Sequence, residues 1–377
     1  MSLLKSRPLL IVSSAHGYGG AERSMELLAP ELARFADVVV MTGNPRHRRN
    51  LLAAAEQAGV SGRLRVWRLP FDEGRKGTAG SVLGLAAARL WLRPAVVLAN
   101  TERSARLVAW VARVWPGAGP STWIYVRDFM WRVLPEVMCG LPRAGVLVPS
   151  PAVMAKAGYL QPWVEPCTRR RVRVMACPAA WPVSAVRPEA GGYALHLATV
   201  NPFKGHVHLL RAAELLRAEG RGISIRSRGM MDDGVLFREL EARISAAGLA
   251  GEGGFELLGH VEDPTEELHG CFCVVVSSVG HSGGPETFGR SIIEAWSHGV
   301  PVVAFAVGGP LHLIEHEKDG LLVAEGDERG LAEALWRLRT EPGLAARLGA
   351  QGREKVRRDY ECGLVAERLR AVLTEPA

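Results

Sequence analysis

Short apolar runs alternate with longer amphipathic segments along this chain. Residues 8–14, 37–42 and 95–100 have the length and composition of buried strands, and residues 21–35 carry apolar side chains at helical spacing. Further short apolar runs occur at 122–126 and 144–148. Strands that alternate with helices form parallel sheets covered on both faces. The pattern therefore predicts an α/β protein with doubly wound, Rossmann-like domains.

A proline-rich break separates two such series. Residues 178–188 contain three prolines and no periodicity, which is typical of a linker. We therefore expect an N-terminal domain over residues 1–180 and a second domain over residues 181–355. Ligands of open parallel sheets bind at the carboxyl ends of the strands, so two such domains predict a binding cleft between them. The second series of apolar runs covers 193–197, 222–227, 255–258, 273–277, 300–305 and 320–323.

Charge is distributed unevenly over the 377 residues. Through residue 182 there are 25 Lys and Arg against 11 Asp and Glu, a net charge of +14, whereas the remainder carries −7. A basic first half suits anionic lipid headgroups or a phosphorylated acceptor, although a solvated arginine-rich surface gives the same count. Aromatic residues make up only 6%, and no stacking motif accompanies the arginines, so a nucleic-acid partner is not expected.

Neither a metal site nor a membrane span is expected. The six cysteines lack the paired spacing of zinc ligands. No segment reaches the ~18 uninterrupted apolar residues of a spanning helix, and the first apolar run is too short for a signal peptide. We expect a cytoplasmic protein, with peripheral contact to the inner face of a membrane through the basic domain as an open alternative.

The strongest motif is Pro-Glu-Thr-Phe-Gly-Arg-Ser-Ile-Ile-Glu-Ala at residues 285–295. A helix is predicted from residue 291, so the backbone N–H groups of residues 288–291 lie at its N-terminus, where an anion such as a diphosphate is stabilised. Glu286 and Glu294 flank this point, and carboxylates accept hydrogen bonds from vicinal sugar hydroxyls. Two surface glutamates near a helix are the simpler interpretation of the same pattern.

Two weaker motifs follow strands. Lys204 and Gly205 stand at a predicted strand-to-helix turn, where a lysine can neutralise a diphosphate. The glycine-rich run at residues 16–22 follows the first strand and allows close approach of the backbone to a ligand. Its spacing is not that of a dinucleotide-binding fingerprint, which argues against a nicotinamide enzyme. Either motif alone is equally compatible with an ordinary turn.

Taken together, these motifs resemble the family-4 retaining glycosyltransferases, which have the GT-B fold of two Rossmann-like domains. The resemblance rests on residues 19–22, 204–205, 286–294 and 308–310 and is densest from 195 to 324. It implies a metal-independent enzyme without a cofactor, whose co-substrate is a nucleotide-diphosphate sugar. It also implies that residues 356–377 form a helix crossing back to the first domain.

The resemblance implies a role for individual residues. Glu286 corresponds to the glutamate that holds the donor sugar, Lys204 to the diphosphate lysine and Glu294 to the ribose ligand. The first two are candidate catalytic residues, together with Asp128. The remaining candidate donor-binding residues are Gly19, Gly20, Thr199, Arg228, His260, Val261, Phe288, Gly289, Arg290 and Ser291.

Two positions depart from the family pattern. Thr199 stands where the family usually has an arginine, and Arg228, Arg226 or Arg290 is a candidate replacement for that cation. Arg127 and Asp128 follow the strand at 122–126, where many relatives place a histidine. Arg127 is a candidate ligand of an acceptor phosphate, although a strand-end ion pair is an equal alternative. His16 is a weaker acceptor-site candidate, and His196 suits a structural role.

The predicted activity is transfer of a sugar from UDP or GDP to a hydroxyl of a glycan, lipid-linked or small-molecule acceptor, with retention of anomeric configuration. Such an activity belongs to cell-envelope or secondary-metabolite glycosylation. A sugar-nucleotide epimerase of the same fold is one alternative. A catalytically lapsed nucleotide- or glycan-binding protein is another, and Thr199 in place of an arginine keeps it open.

Overall fold

The computed structural model describes residues 4, 6–14, 17–69, 75–114, 120–129, 134–141, 143–155, 172–182, 192–251, 253–280 and 285–375. The chain divides into two compact units. Unit 1 comprises Met1–Pro178 and Cys362–Ala377, and unit 2 comprises Ala179–Glu361. The chain thus enters unit 2 near the predicted linker and returns to unit 1 at Cys362, a few residues later than the expected position 356.

Unit 1 contains a parallel sheet with the strand order β3-β2-β1-β4-β5-β6-β7 in the described residues. The central strands are short, Val- and Leu-rich and buried along their whole length, as expected for a sheet covered on both faces. The strands are β1 (Leu9–Val12), β2 (Val38–Thr42), β3 (Leu64–Arg68), β4 (Val96–Ala99), β5 (Ser121–Tyr125), β6 (Gly145–Val148) and β7 (Val172–Val174).

Two apolar cores lie on the two faces of this sheet. Asn44 caps one of the covering helices, accepting hydrogen bonds from the backbone N–H groups of Arg46 and His47, with Pro45 at the first helical position. The helices are α1 (Gly20–Ala33), α2 (Pro45–Gln57), α3 (Arg75–Leu92), α4 (Glu102–Val114), α5 (Leu134–Gly140) and α6 (Pro151–Ala155).

Unit 2 has a second parallel sheet, with the order β10-β9-β8-β11-β12-β13 in the described residues. Its strands are β8 (Tyr193–Leu197), β9 (Ile225–Arg228), β10 (Phe255–Leu258), β11 (Cys271–Val276), β12 (Val302–Phe305) and β13 (Leu321–Val323). The strand predicted over 222–227 starts later, because pairing with both neighbouring strands begins only at Ile225.

The helices of unit 2 are α7 (His206–Ala218), α8 (Gly234–Ala246), α9 (Thr265–Gly270), α10 (Arg290–Ser297), α11 (Gly309–Leu313), α12 (Glu328–Thr340) and α13 (Pro342–Asp359). A one-turn 3₁₀ helix, Pro202–Lys204, precedes α7. The last helix, α14 (Cys362–Leu373), belongs to unit 1 and packs on α1, with Val365, Leu369 and Leu373 in the same core as Met25. No helix among the described residues is long and apolar enough to cross a bilayer.

Candidate active site

The strand order of unit 2 reverses between β8 and β11. From β8 the chain proceeds outward through β9 and β10, whereas from β11 it proceeds outward on the other side through β12 and β13. Open parallel sheets bind ligands at the carboxyl ends of the strands that flank such a reversal, because the two outgoing loops diverge there. The loop after β8 carries Lys204, and the segment after β11 carries Glu286 and leads into α10.

The turn that carries Lys204 is tightly constrained. The Asn201 side chain accepts a 3.2 Å hydrogen bond from the Lys204 backbone N–H and caps the 3₁₀ turn. Gly205 adopts φ +71°, and a Cβ there would overlap the Ser277 carbonyl oxygen at the end of β11. Only glycine combines this dihedral with this approach. The lysine is therefore held directly beside the end of β11.

Two glycines hold the segment that carries Glu286. The Gly309 backbone N–H donates a 2.7 Å hydrogen bond to the Glu286 carbonyl oxygen. Gly308 has φ +63°, and a Cβ on it would lie 2.5 Å from that oxygen, while one on Gly309 would overlap the backbone of Phe288. The glycine pair noted in the sequence thus allows the turn before α11 to lie against residues 286–288.

Lys204 and Glu286 form an ion pair between Nζ and Oε2. Their side chains are 21% and 20% exposed, so both charges are partly desolvated yet reachable by a ligand. The residues are 82 positions apart and meet because both follow strands at the reversal. The structure thus joins two candidates that the sequence could connect only by resemblance.

The start of α10 is shaped by glycine. Gly289 occupies the N-cap position with φ +100°, in the left-handed region, and no side chain caps the helix among the described residues. Phe288 is buried and packs edge-on against Tyr360, with ring centroids 5.9 Å apart. The amides at Gly289, Arg290 and Ser291 therefore occupy a helix N-terminus, an arrangement that favours anions.

Arg290, the first residue of α10, forms a second ion pair with Glu294, which lies one turn further along the helix. Arg290 Nη2 lies 2.6 Å from Glu294 Oε1, and the side chains are 15% and 30% exposed. Together with Lys204 and Glu286, the segment holds two cations and two carboxylates. Each cation can donate hydrogen bonds to a phosphate, and each carboxylate can accept hydrogen bonds from a hydroxyl.

A buried polar relay lies beneath the lysine turn. Ser277 Oγ donates to the Lys204 carbonyl oxygen at 3.1 Å and lies 3.4 Å from His196 Nε2. Because the single hydroxyl proton is used, Ser277 must accept from His196, whose Nδ1 then accepts from Ser227 Oγ at 3.2 Å. The sequence indicated only a structural role for His196 and did not predict this relay.

The His196 ring of this relay lies against the ring of a second histidine, His206. The rings of His196 and His206 are edge-on, with centroids 4.5 Å apart, and both are buried. Burial, followed by the charges of His206 and Lys204, lowers the pKa of His196 well below its usual value. Burial and the Lys204 charge lower the pKa of His206 to about 4. Both rings are therefore neutral at pH 7 and place no further positive charge under Lys204.

The proposed replacements for the missing arginine are placed differently. Thr199 is partly exposed in the loop after β8, where the backbone passes so close to Gly229 that no side chain fits at that glycine. The Arg228 guanidinium is held by the buried carboxylate of Glu267 through Nε at 2.7 Å and Nη2 at 2.5 Å. Arg226 pairs with Glu256 at 2.9 Å. Of the three candidate cations, Arg290 is the one on the helix that starts at the reversal.

The remaining donor candidate of unit 2 is the segment after β10. His260 is exposed and Val261 is partly exposed, in irregular backbone directly beyond Leu258. The structure thus places this segment at the same edge of the sheet as the loops after β8 and β11. Nothing in the described contacts assigns it a ligand, so base recognition there stays a prediction.

Unit 1 has its own strand reversal, between β1 and β4. Gly19 and Gly20 follow β1 and are exposed at the start of α1, where Glu22 accepts a 3.0 Å hydrogen bond from the Gly19 N–H. The structure adds a buried network that the sequence did not reveal. Glu26 accepts from Tyr18 at 2.7 Å and lies 2.8 Å from His47 Nδ1. Burial and then the Glu26 hydrogen bond raise the pKa of Tyr18 to about 12, so its hydroxyl stays protonated.

Arg127 and Asp128 follow β5. Arg127 Nε donates to Asn100 Oδ1 at 2.8 Å, and its guanidinium lies 3.6 Å from the centre of the Tyr125 ring. Asn100 is fully buried at the end of β4 and was not predicted from the sequence. Asp128 is exposed. His16 lies outside the described residues.

No group of three or more His, Cys, Asp and Glu side chains in the described ranges is arranged to hold a metal ion.

Comparison with known proteins identifies the fold of this chain and a family model that part of it matches. The family model described as "Glycosyl transferases group 1" matches residues 192–341, which lie in unit 2 and include both ion pairs. The fold is that of GT-B glycosyltransferases. A crystal structure of the Anabaena protein Alr3699/HepE in complex with UDP and glucose superposes with a TM-score of 0.76 and 18% identity, covering 98% of this chain and 99% of that one. TarM superposes with a TM-score of 0.78 and 12% identity over the full length of both chains.

Sequence relatives match over shorter stretches. The lipopolysaccharide core biosynthesis glycosyltransferase LpsD of Rhizobium meliloti is 43% identical over 72 residues, 19% of this chain and 21% of the relative. The D-inositol 3-phosphate glycosyltransferase of a Nocardioides species is 32% identical over 179 residues, 45% of this chain and 39% of the relative. The matches thus span well under half the length of these relatives.

Proposed function

We propose that this chain is a glycosyltransferase that moves a sugar from a UDP-sugar to a hydroxyl of an acceptor and retains the anomeric configuration. The observation that carries the proposal is the meeting of Lys204 with Glu286 and of Arg290 with Glu294, at the strand reversal of unit 2 and at a helix N-terminus. The match of residues 192–341 to group 1 glycosyltransferases supports it. The UDP and glucose in the Anabaena complex support UDP over GDP as the nucleotide.

In this proposal the two ion pairs exchange partners when the donor binds. The diphosphate takes the Lys204 ammonium, the Arg290 guanidinium and the amides at the start of α10, because all three donate to anions. Glu294 then accepts from the ribose hydroxyls, and Glu286 accepts from hydroxyls of the transferred sugar. The resting pairs keep the unliganded charges neutralised.

The chemical step breaks the bond between the anomeric carbon and the β-phosphate oxygen. The cations and helix amides stabilise the negative charge that builds on the leaving diphosphate, the usual role of preorganised dipoles. The transition state is oxocarbenium-like, and the acceptor hydroxyl attacks the face that the nucleotide leaves. Its oxygen forms the new bond to the anomeric carbon, and its proton passes to the β-phosphate oxygen of the departing UDP. Cationic side chains perform the neutralisation, so we propose that the reaction needs neither metal nor cofactor.

We assign acceptor recognition to unit 1. Its net positive charge suits a phosphorylated or lipid-linked acceptor, and Arg127, which is held by Asn100 and the Tyr125 ring, supplies a cation for it. The named relatives act in lipopolysaccharide core biosynthesis and on inositol 3-phosphate. A cell-envelope glycan or lipid-linked acceptor, used at the cytoplasmic face of the membrane, follows as the proposed class.

The test is release of UDP from a panel of UDP-sugars, with and without phosphorylated, lipid-linked and simple glycoside acceptors. Acceptor-dependent release, with the product anomer determined by NMR, supports the proposal. Glu286→Gln should reduce turnover more than UDP affinity, and Glu354→Gln, an exposed pair member far along the chain, is the matched control. Interconversion of donor sugars without an acceptor would instead indicate an epimerase.

The presence of threonine at position 199 favours a second candidate function, that of a protein that binds a nucleotide sugar without turnover. The family arginine is absent there, and Arg228 is committed to Glu267. UDP binding that persists while no acceptor in the panel yields product would favour this candidate.

A further inference from the structure

The face of α3 that points away from the core exposes large apolar side chains. Leu83 is 70% exposed, Trp91 is 73% exposed and Leu90 is 49% exposed. Leu83, Leu90 and Trp91 are seven and eight positions apart, and exposed Ala87 lies between them, so they form one stripe on the helix. Leu85 and Ala88 on the opposite side are buried in the core of unit 1. The exposed stripe is thus separate from the side that holds the helix in place.

The stripe continues onto the edge of the sheet. The Trp91 ring stacks on Trp67 of β3, with centroids 5.3 Å apart and planes inclined by 28°. Trp67 itself packs on the core, which anchors the exposed indole. Val114, at the end of the neighbouring α4, is 75% exposed. Large, singly exposed apolar residues are normal, but a connected set with two indoles marks an interaction surface.

The sequence around this stripe is mainly basic. Between Glu56 and Glu102 the only acidic residues are Asp72 and Glu73, whereas the same stretch holds Arg and Lys at seven positions, namely 63, 65, 68, 75, 76, 89 and 93. Helix α3 contains no carboxylate at all. Among the described residues, Arg65, Arg89 and Arg93 have no carboxylate in an ion pair with them, unlike the arginines of α4, two of which face Glu136.

We propose that this surface, formed by Leu83, Leu90, Trp91, Trp67, Arg89 and Arg93, docks on an anionic lipid bilayer. Leucine side chains and indole rings enter the interface between headgroups and acyl chains, while unpaired arginines contact anionic headgroups. The proposal does not rest on the glycosyltransferase activity.

Two other occupants fit less well. A second copy docked through the same face would place two cationic stripes against each other, which costs free energy because like charges face. A nucleic-acid duplex would satisfy the arginines but would leave exposed leucines without apolar partners. Of these three occupants, the bilayer satisfies both the arginine charges and the apolar stripe.

The test is co-sedimentation of the purified chain with vesicles of phosphatidylcholine alone and of phosphatidylcholine mixed with phosphatidylglycerol. We expect binding to the mixed vesicles that weakens as salt is raised. Leu83→Ser and the double variant of Arg89→Gln with Arg93→Gln should each reduce partitioning about tenfold, from the free energy of burying one leucine or of one to two surface charges. Val235→Ser and Arg329→Gln, exposed positions in unit 2, are matched controls that should bind like the wild type.

Folding is checked by melting temperature, and UDP binding is measured on every variant, so failure here is distinguishable from failure of the proposed activity. Wild-type protein that ignores the mixed vesicles would overturn the proposal. So would partitioning unchanged by Leu83→Ser and by the arginine double variant. A dimer that Leu83→Ser dissociates would assign the surface to a second copy, and equal or stronger binding to duplex DNA would assign it to nucleic acid.

Discussion

Arg290 and Glu294 lie one turn apart on α10, and the guanidinium Nη2 donates a 2.6 Å hydrogen bond to the carboxylate Oε1. The pair sits directly after the left-handed Gly289, where the helix amides begin. A cation suited to a diphosphate and a carboxylate suited to a ribose are thus held together, and the proposed function requires that a bound nucleotide separate them.

Loss of the lysine charge should weaken nucleotide binding. Lys204→Ala removes a cation from the diphosphate and leaves Glu286 as an uncompensated carboxylate beside it, so we expect UDP affinity to fall about 10- to 100-fold. Titration calorimetry with UDP measures this. Lys318→Ala is the control, because Lys318 is an exposed lysine of unit 2 that also pairs with a glutamate. Equal affinities of Lys204→Ala and wild type would remove Lys204 from the site.

The role of Glu294 can be tested through the ribose. If its carboxylate accepts from a ribose hydroxyl, wild-type protein should bind UDP about tenfold more tightly than 2′-deoxy-UDP. Glu294→Gln, which keeps the shape but weakens the acceptor, should lose most of that preference. A preference that survives Glu294→Gln, or none in the wild type, would assign the ribose contact elsewhere.

Two variants can show which cation compensates for the arginine that is absent at position 199. Arg290→Gln should reduce turnover about 100-fold with little change in melting temperature, since it removes charge from the leaving group. Arg228→Gln should instead lower the melting temperature and leave turnover nearly unchanged, because Glu267 is 8% exposed and would lose its nearer cation, leaving only Arg226 at 4.0 Å. Measured kcat and Tm for both variants decide the matter. A large loss of kcat in Arg228→Gln alone would identify Arg228 as the compensating cation.

Gly205 should tolerate no side chain. Gly205→Ala combines a positive φ with overlap against the Ser277 carbonyl, and we expect a loss of roughly 3 kcal/mol or more in the free energy of unfolding. Gly220 has nearly the same φ, +72°, with open space around it, so Gly220→Ala should cost only about 1 kcal/mol. Urea unfolding of both variants makes the comparison. Similar losses would show that the close approach to β11 contributes nothing.

The buried histidines predict how stability depends on pH. The pKa of His206 is lowered to about 4 in the folded chain, so between its ordinary pKa of 6.5 and about 4 the unfolded state binds a proton that the folded state does not. The free energy of unfolding should therefore be highest above pH 6.5 and fall as pH drops, by roughly 3 kcal/mol for His206 alone.

Urea titrations of wild type and His206→Phe between pH 7 and pH 5 test that dependence. The difference in stability between the two proteins should change in favour of His206→Phe as pH falls, because the phenylalanine takes no proton. His208, which is partly exposed and lies on the same helix, gives the control His208→Phe. A difference that stays constant with pH would mean that His206 titrates alike in both states.

The fold was predictable from the sequence because apolar periodicity and strand length report burial directly. The runs at 193–197 and 255–258 match β8 and β10 residue for residue, since both are short and bounded by turns. The strand predicted from residue 222 begins too early, because Gly222 and Ile223 are apolar yet lie before the pairing of β9 begins at Ile225. Periodicity cannot distinguish such an approach segment from the strand.

The candidate site was predictable only in part. Glycines 205, 289 and 308 could be recognised in the sequence motifs. In the structure each combines a positive φ with a close approach to another residue. The relay from Ser277 to His196 was not visible, because it joins three strands and sequence spacing carries no information about such contacts. The engagement of Arg228 by Glu267 was hidden for the same reason, as the residues are 39 positions apart.

The most direct test of the account is a crystal structure of the chain with UDP bound. We predict that the diphosphate oxygens lie within hydrogen-bond distance of the Arg290 and Ser291 amides and of Lys204 Nζ, with Glu294 turned from Arg290 to the ribose. A nucleotide bound away from α10, or bound there while both ion pairs remain intact, would contradict it.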